Sequence, residues 1–485
     1  MSLIIDNFAG GGGASTGIEA ALGRPIDFAV NHDPEAIAMH RANHPRTRHF
    51  CGSVWDVNPQ GIAMGRRIDM GWFSPDCTFF SAARGGKPFR ERNPARRRRG
   101  LAGLIPRWLT ATGMDVFMME NVREFIDWGP LLADGRICPK RRGMLFRRWH
   151  AQIENIVSRQ TRRRYRVDMR ELVAADYDAP TTRKRLFVIG RADGAEIVFP
   201  AATNGTWAGA KPYRTAAECI DWSIPCPSIF ERDKPLAEAT MRRIARGVMR
   251  YVVNNPQPFI VQAAHGEWGY RDGARAWPLD RPLGPVTAGG VQHALVVPHI
   301  TKFRTGATGS AMDEPMPTVT ANSFVVRPGG APPLGLVTAF LAKHNGGHEN
   351  DGYLPTGPLH TITARDHHAL VSAFLVRYNG ASGPQSLAAP LTTIDTTDRF
   401  GLVMVHGEPH RIVDIGMRML QPRELYRAQG FPDSYIIDRG IDDQGNELPL
   451  TKTAQIRMCG NSVAPPVAEA LVRANIVEQR EQVAA

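Results

Sequence analysis

Apolar and polar positions follow two rhythms along this chain, and the change from one to the other divides it. Residues 3–8 form a short apolar run closed by glycines, which reads as a buried strand. Gly10 to Gly13 make a tight turn, and Ala14 to Leu22 read as a helix. Asp27 to Val30 is the next predicted strand and Pro34 to Asn43 the next helix. Strand-like segments recur at 68–73, at 114–119 and at Arg185 to Gly190. Strands alternating with helices predict an α/β fold, a mostly parallel sheet with helices on both faces. In such sheets ligands gather at the carboxyl ends of the strands. Phe8, Asn31, Cys77 and Glu120 all fall at or just past such ends.

The second rhythm starts near residue 200. Through 201–410 Pro and Gly rise, and short strand-like segments replace the alternation. Four related units follow one another there. Phe259-Ile260-Val261 precedes a Pro-Leu-Gly-Pro-Val-Thr-Ala run at 282–288, and His299-Ile300-Thr301 precedes a similar run at 315–321. Phe340-Leu341-Ala342 precedes one at 358–364, and Phe374-Leu375-Val376 one at 390–395. Such units predict stacked β elements, each too small to bury a core alone. Most of their residues read as scaffold. The functional reading is that loops at one end present Lys302, Arg304, Lys343, His344, Asn345, Arg365, His367, Arg377 and Asn379 to a partner. Residues 411–485 read as a return to the first domain (1–200). Within them, Pro465 to Val477 is a predicted helix that packs through Ala468, Leu471, Ala474 and Ile476.

Charge adds a partner. The 485 residues carry a formal net charge of +12, with a pI near 9.7, which favours a polyanion. Basic residues cluster at Arg90, Arg92, Arg96, Arg97, Arg98 and Arg99, and again at Arg159, Arg162, Arg163, Arg164 and Arg166. A solvated basic surface is the plainer reading of each cluster. The six cysteines contain no C-x-x-C pair, so neither a metal site nor a disulfide framework is expected. No signal peptide and no bilayer-length apolar run is found. A cytoplasmic enzyme with a usable reduced thiol is the expectation.

The candidate chemistry lies in three strand-end motifs. The four glycines suit close backbone approach to a nucleoside cofactor, although such a turn is equally a tight connection. Cys77, in Phe73-Ser74-Pro75-Asp76-Cys77, reads as a nucleophile or as a buried, inert thiol. The arginine-bearing loop beyond it is expected to lower its pKa. Glu120-Asn121 reads as a carboxyl group for a substrate or as a cap.

In this order the motifs resemble the DNA (cytosine-5)-methyltransferase family, and its phage and prophage members most. Phe8-Ala9-Gly10-Gly11-Gly12-Gly13 is similar to the cofactor motif. Pro75-Asp76-Cys77 resembles the Pro-x-Cys nucleophile motif, and Glu120-Asn121-Val122 the Glu-Asn-Val motif. Thr181-Thr182-Arg183-Lys184-Arg185 is similar to Q-x-R-x-R. The run from Arg423 to Pro432 resembles R-E-x-x-R-x-Q-G-F-P, and Gly460-Asn461-Ser462-Val463 the last motif. The resemblance implies a Rossmann-like class I methyltransferase sheet with an inserted, β-rich, repeat-containing target-recognition domain.

It also implies S-adenosyl-L-methionine as cofactor and S-adenosyl-L-homocysteine as product. The cofactor residues would be Phe8, Ala9, Gly10, Gly12, Gly13, Asn31, His32, Asp56, Pro75, Asn461, Ser462 and Val463. Cys77, Glu120, Arg183 and Arg185 would be catalytic. The partner would be double-stranded DNA, bound by a monomer through Ser81, Arg84, Arg96, Arg97, Lys343, Asn345 and Arg377. An accompanying restriction endonuclease and a bacterial or phage-encoded, nucleoid-associated setting fit the same family. The implied chemistry is addition of the Cys77 thiolate to C6 of a flipped cytosine, which makes C5 nucleophilic. A protonated Glu120 would donate to N3, and Arg183 would steady O2. Four positions depart from the family pattern: Asp76 for a second proline, Thr181 for Gln, Asn31 for the acid on the ribose, and Ser53 for the acid near the adenine. Two alternatives stay open, a tRNA cytosine methyltransferase and a catalytically silent DNA-binding homologue.

Overall fold

The computed structural model describes residues 2–77, 80, 99–219 and 421–478, with scattered positions between 221 and 235, residues 315–316, and seven strands between 259 and 419. Two compact units result. One comprises Met1–Cys219, Thr318–Gly330 and Gln421–Ala485, and the other Ile220–Pro317 and Ala331–Leu420.

In the first unit, seven strands form one sheet in the order β3-β2-β1-β4-β5-β7-β6. They are β1 (Leu3–Asn7), β2 (Phe28–Asn31), β3 (Arg48–Cys51), β4 (Ile68–Phe73), β5 (Val116–Asn121), β6 (Arg166–Val173) and β7 (Lys184–Arg191). Strands β1 to β5 run parallel, and β7 runs antiparallel between β5 and β6. The connection between β6 and β7, residues 174–183, is too short for the helical crossover that a parallel return needs, so the pair closes antiparallel. The mostly parallel α/β sheet expected from the sequence is present. Two strands are added to it. Strand β6 is an edge strand whose partly exposed face hid it among charged residues, and β3 has only four residues.

Side chains alternate faces along each strand. In β5, Val116 and Met118 enter one core while Phe117 and Met119 enter the other. The first core packs α1 (Gly13–Leu22) and the C-terminal helix Pro465–Val472 against Trp72 and Phe187. The second packs Leu104–Thr112 and Met144–Glu154 against Phe73 and Phe117. Helix α2 (Pro34–Asn43) starts where the sequence places it. Asp33 accepts hydrogen bonds from the Glu35 and Ala36 N–H groups, and Pro34 opens the first turn. The predicted C-terminal helix is α-helical over Pro465–Val472 and then widens into a π-type turn over Arg473–Val477. Ala468, Leu471, Ala474 and Ile476 are all buried.

The second unit contains a separate seven-stranded antiparallel sheet. Its path is β13 (Leu402–Val405), β14 (Glu408–Met419), β12 (Leu334–Lys343), β10 (His293–Lys302), β8 (Phe259–Gln262) and β9 (Ala276–Pro278), with β11 (Ser310–Ala311) added on β10. The opening strands of three sequence repeats are neighbours in it: β8, β10 and β12. The fourth repeat, at 374–395, lies outside the described residues.

Candidate active site

The parallel strands β1 and β4 end level, Asn7 beside Phe73, and β5 continues past them, since Phe73 lies beside Met119 and β5 ends at Asn121. Four residues past Phe73 comes Cys77, and at the end of β5 stand Glu120 and Asn121. Asn121 is fully buried, and its side-chain amide donates to Pro75 O at 3.0 Å. Its Oδ1 accepts from the Val122 N–H at 2.9 Å. The amide thus ties the Pro75-Asp76-Cys77 segment to the end of β5, which is more than the cap that the sequence offered.

Antiparallel β7 delivers the arginines. Glu120 pairs with Phe187 and Asn121 with Leu186, so Arg183 and Arg185 reach the same sheet edge. Glu120 Oε1 lies 3.5 Å from an Arg183 terminal nitrogen and 3.1 Å from Arg185 Nε. The Arg185 approach is an ion pair without hydrogen-bond geometry, which leaves Glu120 Oε1 and Arg185 Nε buried with no hydrogen-bond partner. A buried charged edge of this kind is costly unless a polar ligand completes it. Arg183 is fixed from behind by donating to Gly460 O at 3.1 Å, and burial pulls its guanidinium down to about 10. Glu120, Arg183 and Arg185 also line a small cavity whose other walls are apolar, among them Leu172, Phe187, Val463 and Val467.

Cys77 is half-buried against the second core. Burial, and then the Glu120 carboxylate, push its thiol up to about 11, while Arg185 and Arg183 pull the other way. The net direction is opposite to the expected lowering, because desolvation outweighs Arg183 and Arg185; the arginines of the following loop lie outside the described residues.

The expected cofactor residues gather at the neighbouring strand ends. Phe8 adopts a left-handed conformation (φ 66°) that non-glycine residues rarely hold, and Gly10 is also left-handed. Ala9 N donates to Val30 O at 3.0 Å, which closes the turn over β2. Asn31 ends β2 beside Cys51. Its Oδ1 accepts from Asp33 N, and its carbonyl accepts from Gly52 N. His32 and Asp56 are exposed on the loops that follow β2 and β3. Both polar atoms of the buried Asn7 amide have no hydrogen-bond partner. Ser462 and Val463 are buried against the glycine turn, and Asn461 is exposed at the end of its helix, Lys452–Asn461. An orphaned amide, a strained turn and an open Gly10 fit a polar nucleoside-type ligand.

The expected DNA contacts Ser81, Arg84, Arg96, Arg97, Asn345 and Arg377 lie outside the described residues. Lys343 closes β12. Of the first basic cluster only Arg99 lies within the described residues, and the arginines of the second are exposed. Arg99 is buried, donates to Gly129 O at 3.1 Å and lies over the Phe80 ring. The Arg159–Arg166 cluster sits level with Val116, where β5 begins, at the opposite end of the strand from Glu120. Arg163 and Arg166 there bind carbonyls of Asp193, Gly194 and Ala195. Among the described residues no group of His, Cys, Asp and Glu is arranged to hold a metal, and no helix is long and apolar enough to cross a membrane.

The sequence reading passed over several long-range contacts around the glycine turn and α2. Tyr435 donates to Gly11 O, and Asn43 makes two hydrogen bonds with the Ile436 backbone. Arg457 pairs with both Asp33 and Glu35. Each contact joins residues about four hundred positions apart, and no periodicity signals such a contact.

The profile of the C-5 cytosine-specific DNA methylase family matches residues 3–221 and 360–476. The Type II methyltransferase M.SacI of Streptomyces achromogenes is 27% identical over 222 residues, 41% of this chain and 50% of that protein. The Type II methyltransferase M.AquIA of a Picosynechococcus strain is 28% identical over 238 residues, 46% of this chain and 89% of that protein. The chain thus spans about half the length of the first of these relatives. A solved E. coli prophage chain, described as a DNA modification methyltransferase, is 17% identical, with a TM-score of 0.46 over 99% of this chain and 100% of that one.

Proposed function

The chain belongs to the C-5 cytosine-specific DNA methylase family, and from that premise we propose that it methylates C5 of cytosine in double-stranded DNA, with Cys77 as nucleophile. The observation that carries this reading is the meeting of Cys77, Glu120, Arg183 and Arg185 at one sheet edge, with Glu120 Oε1 and Arg185 Nε left without hydrogen-bond partners.

S-adenosyl-L-methionine, when bound, supplies the electrophilic methyl group. Phe8, Gly10, Asn31, His32 and the Ser462-Val463 segment are the residues that would hold it. Cytosine C5 is a weak nucleophile. Addition of the Cys77 sulfur to C6 raises electron density at C5 and pushes negative charge toward N3 and O2. Glu120, protonated, donates to N3, and the guanidiniums beside it stabilise the developing charge. Cys77 gives up a proton and the ring gains one, so the two needs balance around Glu120. A base then removes the C5 proton, the Cys77–C6 bond breaks with its electron pair returning to sulfur, and N3 gives its proton back to Glu120. The duplex hides C6, so the target base leaves the stack.

The second unit is the proposed reader of sequence, with the ends of β10 and β12 and their loops as candidate base contacts. One copy of the chain per site is the proposed stoichiometry, with a companion restriction endonuclease to be sought beside it, since the relatives are named Type II methyltransferases.

The test is covalent capture. A duplex library carrying 5-fluorocytosine should form a denaturation-resistant adduct through Cys77 in the presence of S-adenosyl-L-methionine, and Cys77→Ala should form none. Methylation by Cys77→Ala would overturn the mechanism. Capture of cytosine-bearing tRNA in place of duplex DNA would overturn the substrate.

A further inference from the structure

Three of the four glycines after β1 are packed against the protein itself. A Cβ on Gly11 would come within 3.2 Å of both Met39 Sδ and Met458 Cβ, and one on Gly13 within 2.0 Å of Ser462 Oγ. A Cβ on Gly12 would lie 2.2 Å from the Tyr435 hydroxyl oxygen and 2.9 Å from His44 Nε2. Gly10 differs. Its φ is +54°, and a Cβ there would meet only Phe8 O, at 3.9 Å. The open side of the turn is therefore at Gly10, while Gly11 to Gly13 form its bed.

The peptide units in that bed are held at their polar ends. The Gly11 carbonyl accepts from the Tyr435 hydroxyl, and the N–H of the same peptide unit, on Gly12, donates to Ala9 O at 2.9 Å. The next carbonyl, Gly12 O, accepts from Thr16 Oγ1 at 2.8 Å and from Thr16 N at 2.9 Å. Tyr435 is itself fixed. Its carbonyl accepts from Arg423 at 2.8 Å, and its ring packs on Phe431 with centroids 4.7 Å apart. His44 Nε2 lies 3.4 Å from its hydroxyl, and His44 Nδ1 lies 2.9 Å from Glu19 Oε2. Burial holds the Tyr435 phenol protonated, so it remains a donor.

We infer that Tyr435 is a positioning residue for the cofactor turn: by holding Gly11 O it fixes the peptide plane that leaves the Gly10 face open to the methyl donor. The inference rests on the proposed use of S-adenosyl-L-methionine. Tyr435 touches neither reactant, so its effect belongs to donor binding and not to the chemical step. A hydroxyl-to-carbonyl bond in a dry site contributes enough to change donor affinity on the order of tenfold.

The experiment is calorimetric titration of the full chain with S-adenosyl-L-methionine, alongside steady-state kinetics. Tyr435→Phe should bind the donor on the order of tenfold more weakly. KM for the donor should rise while kcat and duplex affinity hold. Thr16→Val, which weakens the hold on the next carbonyl, should act in the same direction, and the double variant should lose less than the sum of the two. Wild-type protein that binds no donor would overturn the proposed function. Wild-type protein that binds it, with Tyr435→Phe and Thr16→Val binding equally well, would overturn only this inference. So would a fall in kcat at unchanged donor affinity.

Discussion

Asn121 Nδ2 donates to Pro75 O across 3.0 Å, and this one bond ties the loop that carries Cys77 to the strand that carries Glu120. Both groups are desolvated. Asn121→Asp keeps the shape and removes the donor, while Asn121→Ala adds a cavity. We expect both to lower kcat by at least about tenfold with donor affinity retained, and to cost stability in the range of about 1–3 kcal/mol. Single-turnover rates and denaturant unfolding check this. Unchanged turnover in Asn121→Asp would show that Cys77 is held in place without the tether.

Glu120→Gln retains the bulk of the carboxyl and removes its acid–base chemistry. The methyl-transfer rate should fall about a hundredfold or more, within the range of general acid–base catalysis. Donor affinity should hold. Rapid-quench measurement separates the two. A collapse in donor binding at an unchanged rate would assign Glu120 to the cofactor instead.

The raised Cys77 pKa has a measurable consequence in the DNA-free protein. With the thiol pushed up to about 11 by burial and by Glu120, the thiolate fraction is small at neutral pH and grows with pH. Alkylation of Cys77 by iodoacetamide, followed by peptide mass spectrometry, should therefore keep accelerating well past about pH 9. A plateau near neutrality would mean that the arginines win over desolvation.

Asp6 gives a stability test with a definite sign. Its carboxyl is buried, one oxygen accepts from Ser15 Oγ at 2.7 Å and the other has no partner, and burial pushes it up to about 7. The folded-state pKa is raised, so the contribution is fully present below about pH 4 and is lost as pH rises through about 7. The shift corresponds to on the order of 4 kcal/mol. Denaturation midpoints of wild type should fall relative to Asp6→Asn across that window. A constant offset between the two proteins would refute the assignment.

Arg99 should behave as a core residue. It binds Gly129 O and covers Phe80, so Arg99→Ala should lower the unfolding midpoint and leave the salt dependence of DNA binding intact. Arg96→Ala and Arg97→Ala should leave stability alone and reduce the salt slope by about one each. Salt-titrated binding alongside thermal melts distinguishes the two. The reverse pattern would place Arg99 among the DNA contacts.

Much of the catalytic unit was legible from local pattern. Apolar runs located β1, β2, β4, β5 and β7 to within two residues, because buried strands must be apolar whatever they pack against. Asp33 and Pro34 marked the start of α2, because capping is satisfied within a few residues. Strand β6 was missed because its exposed face carries Arg166, Asp168 and Arg170, and β3 because four residues make too short a signal. The strand ends named Cys77 and Glu120. The direction of the Cys77 shift was misjudged because charge can be counted along a chain and desolvation cannot.

The sequence by itself determined the alternation of elements, the order of the motifs and hence which residue types could meet at the carboxyl edge of a sheet. Those properties are set by near neighbours and by the stereochemistry of strands and turns. Tertiary structure alone decided that Asn121 holds Pro75, that Gly460 braces Arg183, and that Tyr435 and Ser462 close over the glycine turn. Each of these joins residues far apart in the chain through a buried polar or close-packed contact. Such contacts carry no period, and their energy depends on the exclusion of water, which exists only once the chain has folded.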